Sequence, residues 1–137
     1  MGLLAKAPDD VLAELSAPIV DGLDYTSLRA PEIGGVMVRG RAGAVGSAFN
    51  LGEMTVTRAS VKLAEGAVGH GYVQGRNKQK ALRAALIDAL MQTEAAAKTE
   101  AALLAPLRAE MSKRVSERAA KAAATKVDFF TMVRGED

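Results

Sequence analysis

The sequence predicts a single α+β domain in which a small antiparallel sheet of three or four strands packs with N-terminal and C-terminal helices. Between residues 24 and 73 the apolar residues repeat every two positions and glycine is frequent, as in strands joined by turns. After Gly75 the repeat lengthens to the 3.6 residues of a helix. A length of 137 residues is typical of one domain, so residues 1–137 are assigned to a single unit.

The first twenty residues predict a short N-terminal helix. Pro8 is tolerated in a first helical turn, and the carboxylates of Asp9 and Asp10 are favoured there by the positive end of the helix dipole. Pro18 and the Asp21-Gly22 pair predict the end of this helix.

The middle of the chain predicts the sheet. The predicted strands are residues 25–30, 36–39, 54–63 and 67–73. Residues 41–50 are rich in glycine and alanine and predict a loop or a wide hairpin. Glu65-Gly66 predicts a two-residue hairpin turn between the last two strands, because glycine supplies the positive φ that such turns need.

The C-terminal half predicts two helices joined by a weaker, alanine-rich segment at 93–98. Asn77 is the predicted N-cap of the first helix, which carries Lys80 on the side opposite its apolar stripe. The stripe comprises Leu82, Leu86, Ala89 and Leu90, and Arg83 and Asp88 accompany Lys80. The last helix is predicted over 107–124, after Pro106. Its apolar stripe comprises Leu107, Met111, Val115, Ala119 and Ala122.

Composition excludes several classes of protein. The chain has no cysteine and one histidine, which excludes disulfides, thiolate chemistry and a metal site built on Cys or several His. No apolar run approaches the roughly 20 residues of a membrane span, and the N-terminus has no export signal, so we expect a cytoplasmic protein without a membrane partner. Aromatic residues are only 4% of the chain. We therefore expect a thin core that a partner protein completes.

The segment Gly75-Arg76-Asn77-Lys78 is the first candidate site. It lies between a predicted strand and a helix N-terminus, where free backbone N–H groups, the helix dipole and two cations could hold a phosphate. The alternative is an ordinary capped helix start with solvated cations. The segment lacks the glycine spacing of a P-loop.

His70 lies between Gly69 and Gly71, and such small neighbours allow another backbone or a ligand to approach closely. The imidazole could act as a general base, but no motif marks a nucleophile for it, and a packed or strand-surface histidine is the alternative. The basic residues of the last helix suggest nucleic acid, but Glu110 and Glu117 interrupt them, so we expect a solvated helix face and no nucleic-acid partner.

The C-terminal segment carries two of the three phenylalanines, Phe129 and Phe130, with Met132 close behind. Large aromatic side chains are costly to leave exposed. These residues therefore either fold back on the chain's own sheet or form an interface with another chain.

Four segments together resemble the PhnG family, the G subunit of the bacterial phosphonate carbon–phosphorus lyase system. The family's order is kept, and the similarity covers the chain from about Leu51 to its end, with only loose similarity before. The segments are Thr57-Arg58-Ala59-Ser60-Val61-Lys62-Leu63, Tyr72-Val73-Gln74-Gly75-Arg76-Asn77-Lys78-Gln79, Ala85-Leu86-Ile87-Asp88-Ala89-Leu90-Met91-Gln92 and Val127-Asp128-Phe129-Phe130-Thr131-Met132-Val133-Arg134-Gly135.

The resemblance implies a non-autonomous subunit of the C–P lyase core complex. In this family the complex displaces adenine from ATP with a phosphonate and gives α-D-ribose 1-methylphosphonate 5-triphosphate. The implied partners are the I, H and J subunits (PhnI, PhnH, PhnJ), with the L subunit (PhnL) acting functionally. ATP is a substrate of the complex, and no cofactor or metal is expected on this chain alone.

The resemblance leaves open how this subunit contributes. One possibility is ligand contact at an interface through Arg76, Lys78 or Arg134, with no catalytic residue in this chain. The other is a pure structural scaffold for the nucleosidase-like I subunit, without any ligand contact.

Overall fold

The computed structural model describes residues 1–43 and 45–126. As predicted, helices precede and follow the sheet along the chain. The elements are α1 (Gly2–Lys6), α2 (Asp9–Val20), β1 (Tyr25–Arg41), β2 (Ala48–Leu63), β3 (Val68–Gln74), α3 (Lys78–Leu90), α4 (Ala96–Thr99), a π-helical turn (Glu100–Leu104) and α5 (Ala105–Ala124). Pro18 lies inside α2 and does not end it.

The sheet has three antiparallel strands in the order β1-β2-β3. The two strands predicted at 25–30 and 36–39 are one continuous strand, because Gly34 and Gly35 stay in register with Val56 and Thr55 of β2. Pro31 lies at a register shift of this edge strand, where a residue without a backbone N–H is tolerated. The loop predicted over 41–50 is shorter than expected, since β2 already begins at Ala48.

The hairpin between β2 and β3 lies where it was predicted, with a different turn. The Leu63 N–H donates to the Ala67 carbonyl oxygen at 2.9 Å, and the Gly66 N–H donates to the Leu63 carbonyl oxygen at 2.9 Å. Gly66 has a φ of +101°. The loop therefore has the three residues 64–66, with glycine in the left-handed region, and not two.

One face of the sheet carries the core. Along β2, the side chains of Ala59, Val61 and Leu63 are buried, whereas Arg58 and Lys62 between them are exposed. This is the alternation that the sequence predicted. Helix α3 covers the buried face over β2 and β3, and α1 and α2 close the core beside it.

The contact between β3 and α3 has no room for side chains on the strand. A Cβ built on Gly69 would overlap the Ala85 carbonyl oxygen, and one built on Gly71 would overlap the Ala81 carbonyl oxygen. The alanines of α3 are fully buried at this contact. The close approach predicted around His70 is therefore the approach of the α3 backbone to β3.

Helix α3 buries Leu86, Ala89 and Leu90 as predicted. Lys80 is a correction, because it was expected on the solvent side and is only 7% exposed. The 3.6-residue period places Lys80 next to the buried Ala81 and Ala84, and its flexible stem can lie along apolar surface while the ammonium reaches polar partners.

Helix α5 begins at Ala105, with Pro106 in its first turn as predicted. Its predicted apolar stripe is buried only at Leu107, and Met111 is half-buried. Val115 is 65% exposed, and every residue from 112 to 126 is exposed. The stripe beyond Met111 is therefore not part of this domain's core within the described residues.

Gly71→Ala should destabilise the fold by about 1–3 kcal/mol or more, because the added Cβ overlaps the backbone of α3. Gly34→Ala is the matched control, since a Cβ there meets no atom within 4 Å. Urea unfolding followed by circular dichroism measures both. Equal unfolding midpoints for the two variants would contradict the close contact between β3 and α3.

Candidate functional site

Gly75 turns the chain from β3 into α3. Its φ is +92°, its N–H donates to the Thr55 carbonyl oxygen at 2.9 Å, and its carbonyl oxygen accepts from the buried Thr57 hydroxyl at 2.7 Å. Arg76 and Lys78, the two predicted phosphate ligands, follow this fixed turn and are both exposed. The structure thus places both cations at the junction, and their phosphate contact stays a prediction.

Asn77 caps α3 as predicted and also joins it to α2. Its Oδ1 accepts from the Lys80 N–H at 3.0 Å, while its Nδ2 donates to Asp9 Oδ2 at 2.8 Å. The amide therefore satisfies one free N–H of the helix end and fixes a carboxylate beside it.

The buried Lys80 completes this cluster. Its Nζ donates to the Ala7 carbonyl oxygen at 2.6 Å and lies 3.0 Å from Asp9 Oδ1. The Asn77 amide and then the Lys80 ammonium hold the pKa of Asp9 below its usual range. The positive end of α3 thus already has a carboxylate next to it, which leaves Arg76 and Lys78 to supply any phosphate contact at this junction.

His70 lies on the outer face of the sheet, opposite the face that α3 covers. Its Nδ1 lies 2.9 Å from the Ser60 hydroxyl oxygen, and the two residues are direct cross-strand neighbours. Asp88 accepts from the His70 backbone N–H at 3.0 Å and not from the ring. Within residues 1–43 and 45–126, the imidazole has no carboxylate to orient it, so the pair is not a Ser-His-Asp triad.

A groove on the outer face surrounds this pair. Its volume is about 340 Å³. The side chains that line it are Arg29, Arg58, Ser60, His70 and Tyr72, and backbone of Ala59 and Gly71 completes the lining. The groove could not be predicted from the sequence, because its residues come from three strands and the pairing of the first with the second was not known. The signal available was the alternation of β2, which puts Arg58 and Ser60 on one face.

Glu32 fixes the two arginines of the groove. Its Oε1 accepts from Arg58 Nε at 2.6 Å and from Arg29 Nη1 at 2.7 Å. The hydrogen bond from Arg58, followed by the charges of both guanidinium groups, holds the pKa of Glu32 below its usual range. Two cations are therefore positioned around one carboxylate oxygen.

The far halves of β1 and β2 form a two-stranded ribbon that extends beyond the core. Register places Val36 opposite Met54, and Val38 lies two residues further along the same face. A Cβ built on Gly40 would lie 3.6 Å from Phe49 Cζ and 3.8 Å from Leu51 Cβ, so these two side chains cover Gly40 on that face. The apolar ribbon face is Val36, Val38, Phe49, Leu51 and Met54.

The predicted interface residues Phe129, Phe130 and Met132, and the predicted ligand residue Arg134, lie outside the described residues. Their roles stay predictions. In the part of the chain that the structure describes, no group of three or more His, Asp or Glu could hold a metal ion. Over the same residues, no helix is long and apolar enough to cross a membrane.

Two comparisons with known proteins agree with each other. The chain matches the family described as "Phosphonate metabolism protein PhnG" over residues 1–135. It is 47% identical over 140 residues to the α-D-ribose 1-methylphosphonate 5-triphosphate synthase subunit PhnG of Rhizobium meliloti (strain 1021), an alignment that covers 100% of this chain and 88% of the relative. The similarity therefore extends through the first fifty residues, where the sequence segments gave only a loose resemblance.

Asp9→Asn should lower the free energy of unfolding at neutral pH by a few tenths to about 1 kcal/mol, because the carboxylate is half-exposed and its ion pair is screened. The folded pKa of Asp9 is lowered, so its contribution is complete above the unfolded value near 3.8 and is lost as pH falls through the folded pKa. Urea unfolding of both proteins at neutral pH and through the carboxyl range measures the difference.

Asp10→Asn is the matched control for this experiment. Asp10 shares the first turn of α2 and its helix-dipole interaction, and among the described residues it makes no salt bridge, although its charge acts on Arg114 of α5 from a longer distance. A loss of stability equal to that of Asp9→Asn, or a loss for Asp9→Asn that grows on acidification, would contradict the role given to the Asn77 and Lys80 contacts.

Proposed function

The chain belongs to the PhnG family of phosphonate metabolism proteins, and from this premise we propose that it is a non-autonomous subunit of an α-D-ribose 1-methylphosphonate 5-triphosphate synthase. The Rhizobium meliloti relative is named as a subunit of that synthase. The reaction proposed for the assembled complex is displacement of adenine from ATP by a phosphonate. This chain would act in the cytoplasm as one part of that complex.

The observation that carries the subunit role is the exposed apolar ribbon face. Leu51 is 67% exposed, and Phe49 is about half-exposed. A two-stranded ribbon is at best marginally stable in water, and a contiguous exposed apolar face marks a protein interface. Another subunit of the synthase that covers this face would bury the apolar side chains and stabilise the ribbon.

The chemistry of the described residues also favours a contribution through assembly. Substitution at the anomeric carbon of ribose builds positive charge on the sugar and needs groups that stabilise it and the leaving adenine. The Ser60–His70 pair has no orienting carboxylate, and Glu32 is bound to two arginines. We therefore propose no catalytic residue among residues 1–43 and 45–126.

The finer assignment of partners rests on the family. We propose the I, H and J subunits as direct or neighbouring partners, with the L subunit acting functionally. The nucleosidase-like I subunit would supply the catalytic groups of the reaction. Scaffolding of that subunit without any ligand contact is the alternative to contact through Arg76, Lys78 or Arg134.

The double variant Phe49→Ser, Leu51→Ser should leave the isolated chain folded and weaken its complex. Burial of one such side chain is worth about 1.5–3 kcal/mol. The dissociation constant of the complex should therefore rise on the order of tenfold to a hundredfold for each side chain replaced. Co-purification of the tagged chain with the other synthase subunits measures assembly, and adenine release from ATP with methylphosphonate measures activity.

Met37→Ser is the control for this pair, because Met37 is exposed on the opposite face of the same ribbon. It should assemble like the unaltered chain. A complex of normal affinity and activity with the double variant would overturn the role of the apolar ribbon face.

The double variant Arg76→Ala, Lys78→Ala separates ligand contact from scaffolding. Both side chains are exposed, and the cap of α3 is made by Asn77, so the fold should be retained. We expect assembly and activity to be unchanged, because Asp9 already lies beside the positive end of α3. Loss of activity with intact assembly would instead support contact of this junction with an anionic ligand.

A further inference from the structure

We propose that the groove on the outer face of the sheet binds the phosphate or phosphonate group of an anionic ligand. Arg29 and Arg58 would be its principal contacts, with Ser60, His70 and Tyr72 as further donors. The identity of the natural ligand rests on the proposed function, since the synthase substrates carry such groups. The geometry of the groove supports anion binding independently of that function.

The two guanidinium groups are held in place before any ligand arrives. Both donate to the same oxygen of Glu32, at 2.6 Å from Arg58 and 2.7 Å from Arg29. The donating nitrogens therefore lie within a few ångströms of each other. A group positioned in advance loses less conformational freedom when a ligand binds, which is the advantage of such a site over mobile surface cations.

The charge of the groove is suited to an anion. Arg29 and Arg58 line it, whereas Glu32 does not. Two positive charges against one carboxylate leave an excess of one positive charge on this trio. Arg58 uses its Nε for Glu32, so its two Nη groups can donate together to the oxygens of a tetrahedral anion.

The other wall of the groove offers further hydrogen-bond donors. The Ser60 hydroxyl and His70 Nδ1 are hydrogen-bonded to each other at 2.9 Å, which fixes the imidazole ring. Tyr72, the cross-strand neighbour of Arg58, brings its hydroxyl group to the same groove. Ala59 and Gly71 form the floor of the groove. The Ala59 side chain is buried on the core face of the sheet and Gly71 has none, so neither places a side chain in the groove. The oxygens that the arginines do not contact can thus accept from this wall.

The junction at Arg76 and Lys78 is a weaker anion site on the same criteria. Neither side chain there has a carboxylate to position it among the described residues, and Asp9 lies beside the helix end. The outer-face groove has both positioned cations and several further hydrogen-bond donors around one opening. The two places therefore give distinct expectations for a binding experiment.

Titration of the full-length chain with methylphosphonate and, separately, with tripolyphosphate tests the proposal by amide chemical shifts in NMR. The first probe represents the phosphonate and the second the triphosphate of ATP. We expect saturable shifts at Ser60, His70 and Tyr72, with affinity in the millimolar range because the groove is open. The probe with the tighter binding identifies which of the two groups the groove takes.

Arg58→Ala should weaken binding on the order of tenfold, since a charge-assisted pair of hydrogen bonds is lost. The affinity of Arg58→Lys should lie between those of Arg58→Ala and the unaltered chain, because lysine keeps the charge and loses the planar guanidinium group. Arg39→Ala is the control, since it removes one exposed cation from the ribbon, away from the groove. It should bind like the unaltered chain.

Absence of saturable shifts with both probes would overturn the proposal. So would equal weakening by Arg58→Ala and Arg39→Ala, or shifts confined to Arg76 and Lys78. The experiment needs no other subunit, so its failure is distinguishable from failure of the proposed function. A chain that binds the probes and joins no complex would leave the groove assigned and the subunit role rejected.

Discussion

The close contact of β3 with α3 is the constraint on which the remaining structure depends. Gly69 and Gly71 have no side chain on the inner face of the strand, and the alanines at 81, 85 and 89 follow one another at four-residue intervals on the facing side of the helix. Strand and helix therefore meet backbone to backbone. Helix α3 covers β2 and β3 and makes few contacts with β1. Strand β1 and the two-stranded ribbon therefore stay uncovered.

The sequence predicted the fold where local rules decide it. Asn77 caps α3, the alternation of β2 gives the buried face, and a hairpin joins β2 to β3. The predictions failed where distant contacts decide. Two strands were predicted at 25–30 and 36–39, but pairing with β2 makes them one continuous strand. Lys80 is buried because the Ala7 carbonyl and the Asp9 carboxylate, both far away in sequence, provide partners for its ammonium.

Less of the candidate site could be predicted than of the fold. The sequence identified the junction at Arg76 and Lys78, because a strand, a glycine and a helix start follow one another in the chain. The outer-face groove needs the register of three strands, which sets Arg58 beside both Glu32 and Tyr72. No single-sequence pattern contains that information. The family resemblance supplied the function, and it did so without indicating which surface serves it.

Strand β2 contributes to both the apolar ribbon face and the outer-face groove. Leu51 lies on the apolar ribbon face, and Arg58 lies in the groove seven residues further along the same strand, about 23 Å away at the usual rise per residue. An extended strand barely changes length. A neighbouring protein that binds the apolar ribbon face would therefore lie at a fixed distance from Arg29 and Arg58. The length of β2 would thus set the position of a bound anionic substrate relative to the partner protein.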